Sequence, residues 1–120
     1  MSLRTAQGEA AYQKAKRNRR LVPLSSEEVL KTWTDWKLIN NRFPYDMCFT
    51  TCHMLIPFDE VSNYDDLTEA AKRELREIIT YYCQDHYDVV FENMNKRRSI
   101  KNLYHLHCAT YVTDRSDVCL

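Results

Sequence analysis

Between residues 66 and 82 the apolar positions Leu67, Ala71, Leu75, Ile78, Ile79 and Tyr82 recur at three- and four-residue intervals, the period of one helical face. Asp66, with Glu69 three residues on, has capping-box spacing and predicts that the helix begins there. Shorter stretches carry the signature of strands: Trp36 to Asn40, His53 to Pro57, Tyr87 to Glu92 with its β-branched and aromatic residues, and the long run Leu103 to Val112. Ser25 and Glu28 also have capping-box spacing, ahead of Val29, Leu30 and Trp33, and predict a short helix after Pro23. Phe43, Pro44, Tyr45 and Asp46 read as a turn or extended segment. Ala6 to Arg20 contains good helix formers and no breaker, but its apolar residues are small and few, so it needs a partner to stay helical in water.

The order helix, strand, strand, helix, strand, strand, with connections too short for crossovers, predicts an α+β fold. The expectation is an antiparallel sheet of about five strands, with the long helix packed on it. Residues 1–23 form a basic N-terminal helical arm and residues 24–120 the main domain. A length of 120 residues suits one core, and the 44% hydrophobic and 28% charged composition is that of a globular chain.

The longest apolar runs, such as Met54 to Phe58, are too short to cross a bilayer, and no charged start followed by an apolar stretch marks a secretory signal. A soluble cytoplasmic protein without membrane contact is expected. The five cysteines, at 48, 52, 83, 108 and 119, are odd in number and repeat no zinc-type spacing, so reduced thiols are expected, with neither metal nor cofactor. Cys108 alternates away from its histidine neighbours and is expected in the core.

Net charge is zero, yet Met1 to Arg20 holds six basic residues and one acidic, while Asp59 to Glu92 holds ten acidic and three basic. Such segregation allows weak polyanion binding through residues 1–20. Glycine occurs once, at Gly8, which excludes glycine-rich phosphate cradles and dinucleotide fingerprints. Any phosphate must be held by side chains and ordinary amides.

His105 and His107 are two apart in a strand, so their imidazoles project from one face roughly 6–7 Å apart. If the His53 strand lies beside theirs, a third imidazole converges on the pair. The preceding segment carries Lys96, Arg97, Arg98 and Lys101, donors suited to phosphate. His86, near the C-terminal end of the long helix, suits the helix dipole and is assigned no chemistry.

These segments, in this order, resemble the histidine-triad (HIT-like) superfamily of nucleotidyl hydrolases and transferases. The likeness runs over about residues 24–113. It begins at Asn41, Arg42, Phe43, Pro44, Tyr45 and Asp46, similar to the segment that lines the family's nucleoside pocket, and continues through His53, Met54, Leu55, Ile56 and Pro57. Val61 then precedes the helix start Asp66, Leu67, Thr68. After the helix come Asn93 and the strand His105, Leu106, His107, Cys108, Ala109, which matches two of the three triad positions.

The resemblance implies that His107 attacks the α-phosphorus of a nucleotide or nucleotide conjugate and forms a covalent nucleotidyl-histidine intermediate. His105 would orient and polarise the site, and His53 would contact phosphate or the strand bearing the nucleophile. A nucleotide site follows at Asn41, Phe43, Tyr45, Asn93, Arg97, Arg98 and Asn102, and a homodimer is implied. An alternative register, with His107 in the third triad position and Leu103 in the first, would put His105 at the nucleophile. Ala109 stands where the third histidine belongs, removing a donor for transition-state charge. A catalytically impaired nucleotide-binding module, or a nucleic-acid-associated protein acting through the arm, is the alternative function.

Overall fold

The long helix forms, but its cap lies two residues after the expected one. In the computed structural model, which describes residues 3–18, 24–94 and 102–112, Asp66 lies in a 3-10 turn, Tyr64–Asp66. Helix α2 runs Glu69–Ile78, and the Thr68 hydroxyl accepts the Ala71 N–H at 3.1 Å. Thr68 therefore takes the cap role assigned to Asp66. Ala71, Leu75 and Ile78 are buried on one side, as the periodicity requires. A π-helical turn at Ile79–Cys83 then inserts an extra residue, which rotates the following positions so that Cys83 is buried and Tyr82 only half-buried.

The second capping-box expectation fails outright. Leu24–Ser26 forms a single 3-10 turn, and Val29–Thr32 is an exposed strand, β1, not a helix. It pairs antiparallel with β2, Trp36–Ile39, and the Trp33 N–H closes the hairpin on the Trp36 carbonyl at 2.8 Å. Four residues of helix would satisfy almost no backbone bonds, whereas the ladder to β2 satisfies several.

Strand β3 is Phe49–Pro57, β4 is Val89–Phe91 and β5 is Leu106–Tyr111. All pairs are antiparallel and the sheet order is β1-β2-β3-β5-β4. The fold is α+β, with a five-stranded antiparallel sheet and two helices of more than a turn or two, α1 and α2, among the described residues. No helix there is long and apolar enough to cross a membrane. Helix α1, Ala6–Arg17, has its cap at Thr5 and buries none of its residues.

Each sheet face carries its own core. On one face Trp36, Leu38, Leu55, Leu106 and Cys108 pack under Leu67, Ala71, Leu75, Ile78 and Cys83. The Trp36 indole N–H donates to the Ala71 carbonyl at 2.7 Å and ties β2 to α2. The other face holds two smaller clusters: Leu24, Ile39, Met54, Ile56 and Leu103, and Tyr45, Phe49, Cys52 and Ala109. The middle of β5 is buried from both sides, with Cys108 and Ala109 fully enclosed.

Candidate functional site

Side-chain alternation along β5 sends Leu106 and Cys108 toward α2 and His107 and Ala109 the other way. Opposite residues in an antiparallel pair share a face, and His107 lies opposite Met54 on β3 and Phe91 on β4. Its imidazole is stacked on the Phe91 ring at 5.0 Å and tilted against Tyr45 at 5.0 Å, with His105 edge-on at 5.2 Å. Only 3% of the residue is exposed, and neither ring nitrogen has a hydrogen-bond partner among the described residues. Burial, aided by His105 and Arg4, pushes its pKa down to about 3, so the ring is neutral across the physiological range.

His105 is buried too, and its Nδ1 lies 2.8 Å from the Leu103 carbonyl. A carbonyl only accepts, so Nδ1–H is the donor and the tautomer is set. The two imidazoles expected on one face are therefore brought together.

His53 is not brought to them, which corrects the expected convergence of three imidazoles. It lies opposite Cys108 and so projects from the helix-covered face, where its Nδ1 meets the Tyr87 hydroxyl at 2.8 Å. Burial holds its pKa below the usual imidazole value, and burial raises that of Tyr87. Its neighbour Cys52 takes the place on the His107 face, opposite Ala109. A shift of one residue in strand register exchanges the two faces, and the pairing selects Cys52. The Cys52 thiol is buried and its pKa raised by that burial, with the Asn41 amide donating to Sγ at 3.8 Å.

Several residues assigned to the nucleotide pocket do gather here. Tyr45 is buried against His107, and its hydroxyl accepts from the Asn93 amide at 2.9 Å. Asn41 also accepts the Phe43 N–H at 3.1 Å, which folds this loop back on itself. Asn102 is exposed, and its carbonyl accepts from the Ser62 hydroxyl at 3.3 Å. Lys96, Arg97, Arg98 and Lys101 lie outside the described residues. Ala109 leaves no space for a third imidazole: it is fully buried between Cys52 and Val89.

A cation that the sequence reading did not single out stands at this site. The Arg4 guanidinium lies 4.9 Å from the centre of the Tyr45 ring and 4.3 Å from that of Tyr12 on α1, within cation–π range of both. Its Nε donates to the Phe43 carbonyl at 2.9 Å, and Glu9 pairs with it at 3.2 Å. Asp46 then receives the Thr5 N–H at 2.7 Å and the Thr5 hydroxyl at 3.0 Å. These bonds hold its carboxyl below the usual range. The only signal for this contact in the sequence is Gly8: a Cβ there would meet the Asp46 carboxylate oxygens at 2.9 Å.

A family model described as "Protein of unknown function (DUF3605)" matches residues 4–111. That span takes in the arm from Arg4 as well as the sheet. No curated protein matches the chain.

Proposed function

The chain belongs to the DUF3605 family, and from that premise and the geometry around His107 we propose that it is a HIT-like protein that binds a nucleotide on the β5 face opposite α2. His107 is the side chain that meets the phosphate. The observation carrying this reading is the unpaired imidazole: a buried ring with two unsatisfied nitrogens costs on the order of 1–3 kcal/mol, and such a cost calls for a reason beyond folding. A ligand that supplies an acceptor to one nitrogen and a donor to the other removes the cost. Tyr45 and Phe91 offer aromatic surface beside it, and Asn41 and Asn93 offer amides. The adjacent imidazoles of His105 and His107 also support the reading.

Ala109 and its close packing favour binding over turnover, since the third triad donor is missing and its place is filled. The experiment is titration calorimetry with the four nucleoside monophosphates on the protein and on His107→Ala. Binding weakened at least tenfold in the variant supports the reading. Absence of binding by all four at millimolar concentration overturns it.

A nucleotidyl hydrolase or transferase is the second reading, favoured by the ring's neutrality, because a neutral imidazole is the nucleophilic form. An imidazole nitrogen would attack the α-phosphorus and form an N–P bond as the leaving group departs with its electron pair. Water would then cleave that bond and release the nucleoside monophosphate. Intact mass after incubation with a nucleoside phosphoramidate decides the point: a nucleotidyl adduct absent from His107→Ala supports turnover, and an unmodified protein refutes it.

A further inference from the structure

His107 is only 3% exposed, yet a phosphate must reach it if the proposed function holds. What covers it is layered. Phe91 and Tyr45 each lie 5.0 Å from the imidazole and 6.3 Å from each other, so they meet it side by side; Arg4 lies over Tyr45 at 4.9 Å, and Tyr12 of α1 lies against Arg4 at 4.3 Å. The outer two layers both belong to the N-terminal segment. The Arg4 side chain is only 10% exposed.

The attachment of that segment is of a particular kind. Helix α1 buries no residue, so no apolar core anchors it. It is held by polar contacts with the loop between β2 and β3: Arg4 on the Phe43 carbonyl, Thr5 on Asp46, and the Met47 N–H on the Leu3 carbonyl at 3.0 Å. One edge-to-face aromatic contact joins them, between Tyr12 and Phe43 at 5.5 Å. The contacts around Asp46 are exposed to water, where such bonds are weak and break readily. The loop they grip carries Tyr45, the inner layer over His107. Holding the segment down therefore holds Tyr45 down.

We propose that residues 3–17 form a hinged cover, latched at Thr5–Asp46, and that its release uncovers His107 to a phosphate-bearing ligand. The geometry of the cover stands on the layered contacts, and only the identity of the ligand rests on the function proposed above. Gly8 is part of the latch, because a Cβ there would meet the Asp46 carboxylate oxygens at 2.9 Å and push that side chain aside.

The test measures the access of a small reagent, diethyl pyrocarbonate, to each imidazole by peptide mass spectrometry at neutral pH. His86 is exposed and serves as the internal standard. Asp46→Ala cuts both bonds from Thr5, and Gly8→Ala favours the helix while displacing the carboxylate, so the two variants open the latch by unrelated routes. Modification of His107 on the order of tenfold faster in both, with His86 unchanged, is the expected result. Equal His107 rates in wild type and both variants would overturn the cover. Nucleotide titration of the same variants separates the two ideas: faster modification without nucleotide binding keeps the cover and removes the ligand assignment. Nucleotide binding with unchanged modification does the reverse.

Discussion

Replacing His107 by leucine isolates the electrostatic cost of the site. In the unfolded chain the imidazole titrates near its ordinary 6.5, whereas in the fold it titrates at about 3. The unfolded chain thus binds more protons between these values, and stability is complete above pH 6.5 and lost as pH falls toward 3. At pH 5 protonation favours the unfolded chain by roughly 2 kcal/mol, against roughly 0.2 kcal/mol at pH 7. The side chain is 3% exposed, so solvent screening removes little of this. His107→Leu abolishes the dependence, and it also removes two unpaired nitrogens costing about 1–3 kcal/mol. The variant is expected to be at least as stable as wild type at pH 7 and to gain a further ~2 kcal/mol on wild type at pH 5. Urea unfolding followed by circular dichroism at both pH values reads the two differences, and groups titrating alike in both proteins cancel. A gap of the same size at pH 5 and pH 7 would show that the ring is hydrated or paired, and the argument for a ligand at His107 would go with it.

Three further outcomes follow from the packing. Ala109→His, which restores the missing triad position, forces an imidazole into an enclosed space and is expected to lower stability by about 1–3 kcal/mol or more with no gain in nucleotide turnover; a thermal melt and a turnover assay on one sample check both. Thr68→Ala is expected to lose about 1 kcal/mol through the α2 cap, while Asp66→Ala stays within about 0.5 kcal/mol, as read from paired urea curves. Trp36→Phe leaves the Ala71 carbonyl without its indole donor and shrinks a fully buried side chain, for an expected loss of about 2–4 kcal/mol, visible as a lower urea midpoint.

The long helix and the core of four strands were legible because their apolar periods differ and each is sustained over several residues. Val29–Thr32 was misread because a capping-box spacing is local information. The partner that decides the matter, β2, announces itself only through the short turn at Trp33 to Asp35. Side-chain parity placed His105 and His107 together without any knowledge of pairing. The same logic could not place His53, since its face depends on which residue of β5 it meets, and that register is a property of two distant segments. Thr5 and Asp46 were unreadable as a contact for a related reason: they lie 41 positions apart in the chain and neither belongs to a patterned element. The lone glycine excludes glycine-rich motifs by its rarity, and its position marks where two segments touch.

Both tryptophans sit on the α2 side of the molecule, Trp36 enclosed there and Trp33 packed edge-on to Tyr82. Intrinsic indole emission is accordingly a monitor of one half of the protein. It will follow the melting of the helix-backed layer and stay silent when the N-terminal segment swings away, so optical detection of that swing needs a dye introduced on α1.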